Sequence, residues 1–125
     1  MKIGLDFHGV INKLPIFFSE MSKLFIENGH EIHIITGKEI TEEYIKEINS
    51  YNVSYTHLFS IITHCKNVGY KICYDNSENP WIDINIWNRI KSAYCLLNNI
   101  DIMIDDSEDY GKYFNTPYMK INVKI

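Results

Sequence analysis

Cysteine is scarce in this sequence: Cys65, Cys73 and Cys95 are the only three among 125 residues. An odd number with no CxxC spacing excludes a framework of disulfides, and their apolar or helical surroundings imply reduced, buried thiols. A zinc centre from His57, His64, Cys65 and Cys73 would lack any recognised ligand spacing. His30 and His33 add none, so these histidines are expected at the surface or hydrogen-bonded in the core. Long apolar runs are missing too. No stretch reaches the roughly eighteen residues that cross a bilayer, and Asp6 falls where a secretory signal needs its apolar segment. A cytoplasmic protein with no membrane partner is the expectation. Positive charge is also in short supply, with 12 Lys and Arg against 16 Asp and Glu and a net charge of -4. That argues against an extended nucleic-acid surface while leaving room for a local basic pocket. Repeats, linkers and low-complexity segments are absent from the pattern.

What is present is core material. Hydrophobic residues make up 46% and charged residues 22%, enough apolar surface for one globular domain over residues 1–125. Residues 2–6 form a short apolar run ending on the carboxylate of Asp6, followed by a turn at His8 and Gly9. Pro15 opens a helix whose inward face is expected at Phe17, Met21, Leu24 and Phe25. Residues 31–35 read as a second buried strand closed by Thr36 and Gly37, and Thr41 caps a helix carrying Tyr44, Ile45 and Ile48 inward. Val53 to Ile62 suits a third strand, and residues 63–79 suit a small hairpin insertion. Asn79 and Pro80 then resemble a helix start, with Ile86, Ile90, Ala93 and Leu97 at helical spacing. Residues 100–104 give a further buried strand ending on Asp105 and Asp106, and Tyr118 to Val123 suits an edge strand. Alternating strands and helices predict a three-layer α/β/α, Rossmann-like domain with a mainly parallel sheet.

In such a sheet, ligands sit at the carboxyl ends of the strands, where Asp6, Thr36, Asp105 and Asp106 all fall. Two carboxylates about 4 Å apart repel by roughly 4 kcal/mol at an effective dielectric near 20, so the cluster must take up protons or bind a cation. Oxygen ligands favour a hard ion, and Mg2+ pairs one or two carboxylates with a substrate phosphate and water. Phosphoryl transfer needs an in-line nucleophile, donors for the equatorial oxygens and a cation, which Asp6, Thr36 with local amides, and a lysine would supply. Lys91, 14 residues before Asp105, and Lys38, two after Thr36, are the rival cations, and a rigid helix favours Lys91. Glu108 and Asp109 read as a solvated helix start. Trp81, Trp87, Tyr94 and Phe114 read as core or helix packing, with Tyr110 and Tyr113 left as pocket walls.

These segments resemble the haloacid dehalogenase-like superfamily. Asp6-Phe7-His8-Gly9-Val10 is similar to its first motif, Ile34-Ile35-Thr36-Gly37 to its second, Lys91 to its third and Ile104-Asp105-Asp106-Ser107 to its fourth. The resemblance spans residues 2–114. It implies a Mg-dependent phosphohydrolase working through an aspartyl-phosphate on Asp6. It also implies Mg2+ ligands from Asp6, the His8 backbone carbonyl and Asp106, with Asp105 in support, and phosphate binding by Thr36, Gly37 and Lys91. His8 departs from the pattern, since hydrolytic members usually carry a second aspartate there as general acid and base. Imidazole can exchange protons near neutrality, so His8 stays a catalytic candidate. The alternatives are a catalytically weak or inactive protein binding phosphate or another ligand at the same site, and a deoxynucleotide phosphatase. The 30 residues from Asp6 to Thr36 leave no room for a cap domain, and the 55 from Thr36 to Lys91 allow only a small insertion. An open site suits a bulky or macromolecular phosphate ester, unless an oligomer supplies a lid.

Overall fold

A computed structural model describes residues 1–122. The first strand, β1, is Lys2–Leu5, and a tight turn, Phe7–Ile11, leads to helix α1, Pro15–Glu27. Next come β2, Glu31–Thr36; α2, Glu42–Ser50; β3, His57–Ser60; and α3, Ile61–Val68. A hairpin of β4, Cys73–Tyr74, and β5, Pro80–Trp81, precedes α4, Ile84–Leu97. The chain then forms β6, Ile102–Asp105; α5, Glu108–Gly111; and β7, Tyr118–Lys120. Five strands form one parallel sheet in the order β3-β2-β1-β6-β7, flanked by helices, and β4 pairs with β5 antiparallel. This α/β architecture is compatible with a Rossmann-like fold. The near-continuous apolar runs of β1, β2 and β6 are what a parallel sheet buried on its faces requires.

Alternation along β2 divides the core. Ile32 and Ile34 pack with Phe18 of α1 and with Tyr44 and Ile48 of α2. Ile35, pointing the other way, packs with Cys95 of α4 and with Ile100 and Met103. A third cluster joins Ile61, Ile62 and Cys65 of α3 to Ile82, ahead of α4. Fully burying one such side chain contributes about 1.5–3 kcal/mol.

Several expectations shift. The third strand spans only His57–Ser60 because the Ser60 hydroxyl accepts the Thr63 N–H at 3.1 Å and starts a helix where the β-branched run suggests extended chain. The hairpin therefore begins at Cys73, after α3. Pro80 lies in β5, and α4 begins at Ile84 because the Asp83 carboxylate accepts the Asn85 N–H at 3.0 Å. The inward face of α1 runs through Phe18 and Ser22, leaving Phe17 and Leu24 exposed. That of α4 runs through Lys91 and Cys95, leaving Leu97 exposed. Trp81 is exposed rather than packed in the core. The last strand ends at Lys120, and Val123 lies outside the described residues. Cys65 and Cys95 are buried, Cys73 is half-buried, and none forms a disulfide. Among the described residues, no helix is long and apolar enough to cross a membrane.

Candidate active and metal site

Register sets the site. Leu5 lies opposite Ile104 in the parallel pair β1–β6, and the Asp6 N–H continues the ladder to the Ile104 carbonyl at 3.0 Å. Asp6 and Asp105 are thus carried past the same sheet edge on adjacent strands. One carboxylate oxygen each from Asp6, Asp105 and Asp106 lies within 4.8 Å of the others. The two late carboxylates divide their roles. Asp105 is fully buried, and its Oδ1 accepts the N–H groups of Asp106 at 2.8 Å and Ser107 at 3.1 Å. Asp106 is exposed at the surface of the cluster. Gly9, at φ +85°, makes the close approach possible, since a Cβ there would collide with the Asp106 carboxylate.

Lys91 reaches this cluster from α4. It is 1% exposed, with Nζ 2.9 Å from Asp105 Oδ2 and 3.2 Å from Asp6 Oδ1. The Tyr110 ring lies 4.3 Å from the same ammonium. Burial alone would pull the Lys91 ammonium down, but Asp6 and Asp105 outweigh it and hold it well above the usual lysine value. Burial lifts the Asp6 carboxyl well above its ordinary range, Lys91 opposes the lift and Asp105 adds to it. Asp106 is raised too, by burial and then by its neighbour Asp105. One lysine among three carboxylates leaves a net negative site, which is what a divalent cation resolves.

Asp6, His8, Thr36, Gly37 and Lys91 line a single open cleft of about 550 Å3. Thr36 is buried at the tip of β2, where its Oγ1 lies 2.7 Å from the Tyr44 hydroxyl and accepts the Lys38 N–H at 3.3 Å. Gly37 backs onto Trp87, whose ring stands where a Cβ would go. Lys38 also lines the cleft, but its Nζ lies 5.0 Å over the Tyr44 ring and 3.9 Å from Glu47, so the cation paired with Asp6 is Lys91. The His8 ring is half exposed and stacks parallel on Tyr44 at 5.9 Å, with Nε2 3.7 Å from Glu47 Oε1.

Sequence reasoning left out part of this wall. Tyr44 and Trp87 read as packing residues because aromatics at helical spacing normally are, yet one holds Thr36 and the other backs the loop at Gly37. Tyr110 lines the cleft and pairs its hydroxyl with Trp87 Nε1, whereas Tyr113 packs under Arg89 instead. Asn79 and Pro80 reach the cleft from the hairpin. The set of His57, His64, Cys65 and Cys73 is not gathered around a common point among the described residues. Comparison of the chain with protein-family models, with curated proteins and with solved structures finds no match.

Proposed function

We propose that this chain is a magnesium-dependent phosphohydrolase of the haloacid dehalogenase type, with a three-layer α/β/α fold and Asp6 as its nucleophile. The observation that carries this reading is the meeting of Asp6, Lys91, Asp105 and Asp106 at the ends of adjacent strands, where Asp6 and Lys91 also line the cleft, although the first carboxylate and the last are 100 positions apart. The donor set fits a hard cation: three carboxylates with oxygens within 4.8 Å of one another, two of them lifted in pKa by burial and mutual charge. Asp6 and Asp106 would hold Mg2+ with the His8 backbone carbonyl, and Asp105 would fix the frame by binding Lys91 and the following amides. Bound there, the ion supplies charge neutralisation on the phosphate oxygens.

The residues of the chain do the rest. Asp6 attacks phosphorus in line, breaking the ester bond and forming an aspartyl-phosphate as the alcohol departs. Lys91 neutralises the charge beside it, and Thr36 with the amides after β2 binds the equatorial oxygens. Water then cleaves the acyl phosphate, returning Asp6 and releasing inorganic phosphate. His8, which lines the cleft with Glu47 behind its ring, is the group assigned to the proton transfers in this reading. The open cleft, walled by α3, the hairpin and α4, suits a phosphate ester whose alcohol portion extends into solvent.

Magnesium-dependent release of phosphate from an aryl phosphate tests the reading. Release by the wild-type chain that is lost on chelation and in Asp6→Asn supports it, and release unaffected by Asp6→Asn contradicts it. The half-exposed His8 ring, stacked on Tyr44, favours one rival: a weak or inactive protein that binds phosphate or another ligand in the same cleft. Magnesium-dependent phosphate binding without turnover would mark that case.

A further inference from the structure

We propose that Glu31, His33 and His57 form a second metal site, for zinc or a similar borderline divalent ion, at the end of the sheet opposite the acidic cleft. Strand geometry builds it. Residues two apart on β2 share a face, which puts Glu31 beside His33, and parallel register puts His57 of β3 directly opposite His33. These three side chains bring one ligand atom each within 4.8 Å of the others. His33 Nε2 lies 2.8 Å, and His57 Nδ1 3.7 Å, from the same Glu31 oxygen. Ligand atoms around a tetrahedral zinc, bound at about 2.0–2.1 Å, sit about 3.3 Å apart. The observed separations bracket that value.

The surroundings suit a ligand as well as a hydrogen-bonded pair. His33 is 2% exposed, and its far nitrogen, Nδ1, lies 2.7 Å from the Tyr94 hydroxyl of α4. Metal-bound histidines are commonly oriented by such an outer partner. With Nε2 on the metal, the ring proton sits on Nδ1 and the Tyr94 oxygen accepts it. Burial also favours the neutral imidazole, the ligating form. The His57 ring stacks on His33 at 4.1 Å with planes nearly parallel, so its lone pair joins the site by rotation of a half-exposed side chain. Thr56 Oγ1, 2.9 Å from His57 Nδ1, and Lys2 Nζ, 4.0 Å from Glu31, are the other polar groups that must give way. Two imidazoles and one carboxylate leave a fourth position for water or an outside ligand. The chain would then sort its cations, a hard ion to the carboxylates and a borderline ion to the imidazoles.

Zinc titration of the untagged full chain against a chromophoric chelator tests the site. Glu31 is half-buried at the start of β2 and His57 is exposed, and neither belongs to the apolar core, so Glu31→Gln and His57→Ala leave the core intact, and Asp106→Asn reports on the acidic cluster separately. The expected result is one zinc taken up by the wild-type and Asp106→Asn chains, and loss of that uptake in His57→Ala and Glu31→Gln at concentrations that saturate the wild type. No uptake by the wild-type chain, uptake unchanged in His57→Ala, or uptake lost in Asp106→Asn would each overturn the proposal. None of these outcomes depends on phosphatase activity.

Discussion

Asp6 is 7% exposed and shares the Lys91 ammonium with Asp105, so a single buried cation faces two carboxylates with Asp106 beside them. Burial, only partly offset by Lys91, raises the Asp6 carboxyl from 3.8 to about 7. A carboxyl raised on folding binds its proton more tightly in the native state. Its contribution to stability is therefore complete below the unfolded value and is lost as pH climbs through the folded one. Thermal melts of the metal-free chain should show Tm falling from pH 4 to pH 8, with a flatter slope and a higher Tm at pH 8 in Asp6→Asn. An equally steep fall in Asp6→Asn would contradict this origin. The same substitution is expected to abolish turnover, so at this position stability and chemistry pull apart. His8→Asp should raise phosphatase turnover or move its pH optimum. An unchanged rate and profile would remove His8 from the mechanism.

Elements deliver these residues. Helix α4 starts at its Asp83 cap and turns Lys91 toward the ends of β1 and β6. Lys91→Met should cost about 3–5 kcal/mol in chemical denaturation, because it strands the fully buried Asp105 carboxylate without its cation. In the turn after β1, Gly9→Ala forces a side chain into a left-handed conformation and against Asp106. A loss of about 1–2 kcal/mol, with weakened magnesium binding, is expected from parallel denaturation and calorimetric titration. The strand ends were legible in the sequence, since each apolar run stops on a residue the sheet cannot bury for free: Asp6, Thr36, Asp105. Helix α3 was not. Ser60-Ile61-Ile62-Thr63 is β-branched enough to read as strand, and only the Ser60 cap, a contact of one hydroxyl with one amide, reverses it. The inward face of α4 was displaced by one position for a related reason: an apolar spacing through Ile86, Ile90 and Leu97 competes with a line that includes the charged Lys91. Burial of that lysine is decided by Asp6 and Asp105, which local spacing does not register.

Across the whole molecule, the parallel sheet turns distant sequence positions into neighbours, and the acidic cleft and the histidine cluster occupy its two ends. The α/β class with its parallel sheet was visible in the alternation of strands and helices, and the acidic constellation in the residues on which the strands end. The Glu31, His33 and His57 cluster was not, because it depends on the register between β2 and β3 rather than on spacing within either. A cation that binds only the folded state should stabilise it by about 2.7 kcal/mol at a hundredfold excess over its dissociation constant. For the proposed magnesium site the expected result is a Tm rise that is larger at pH 8 than at pH 5, because protons compete for the raised carboxyl of Asp6. The most direct measurement of the central claim is fluorine NMR of the chain with magnesium and beryllium fluoride, which forms a phosphoryl mimic on a nucleophilic carboxylate. Bound resonances that require magnesium and vanish in Asp6→Asn are expected. Bound resonances that persist in Asp6→Asn, or none in the wild-type chain, would contradict Asp6 as the phosphate acceptor.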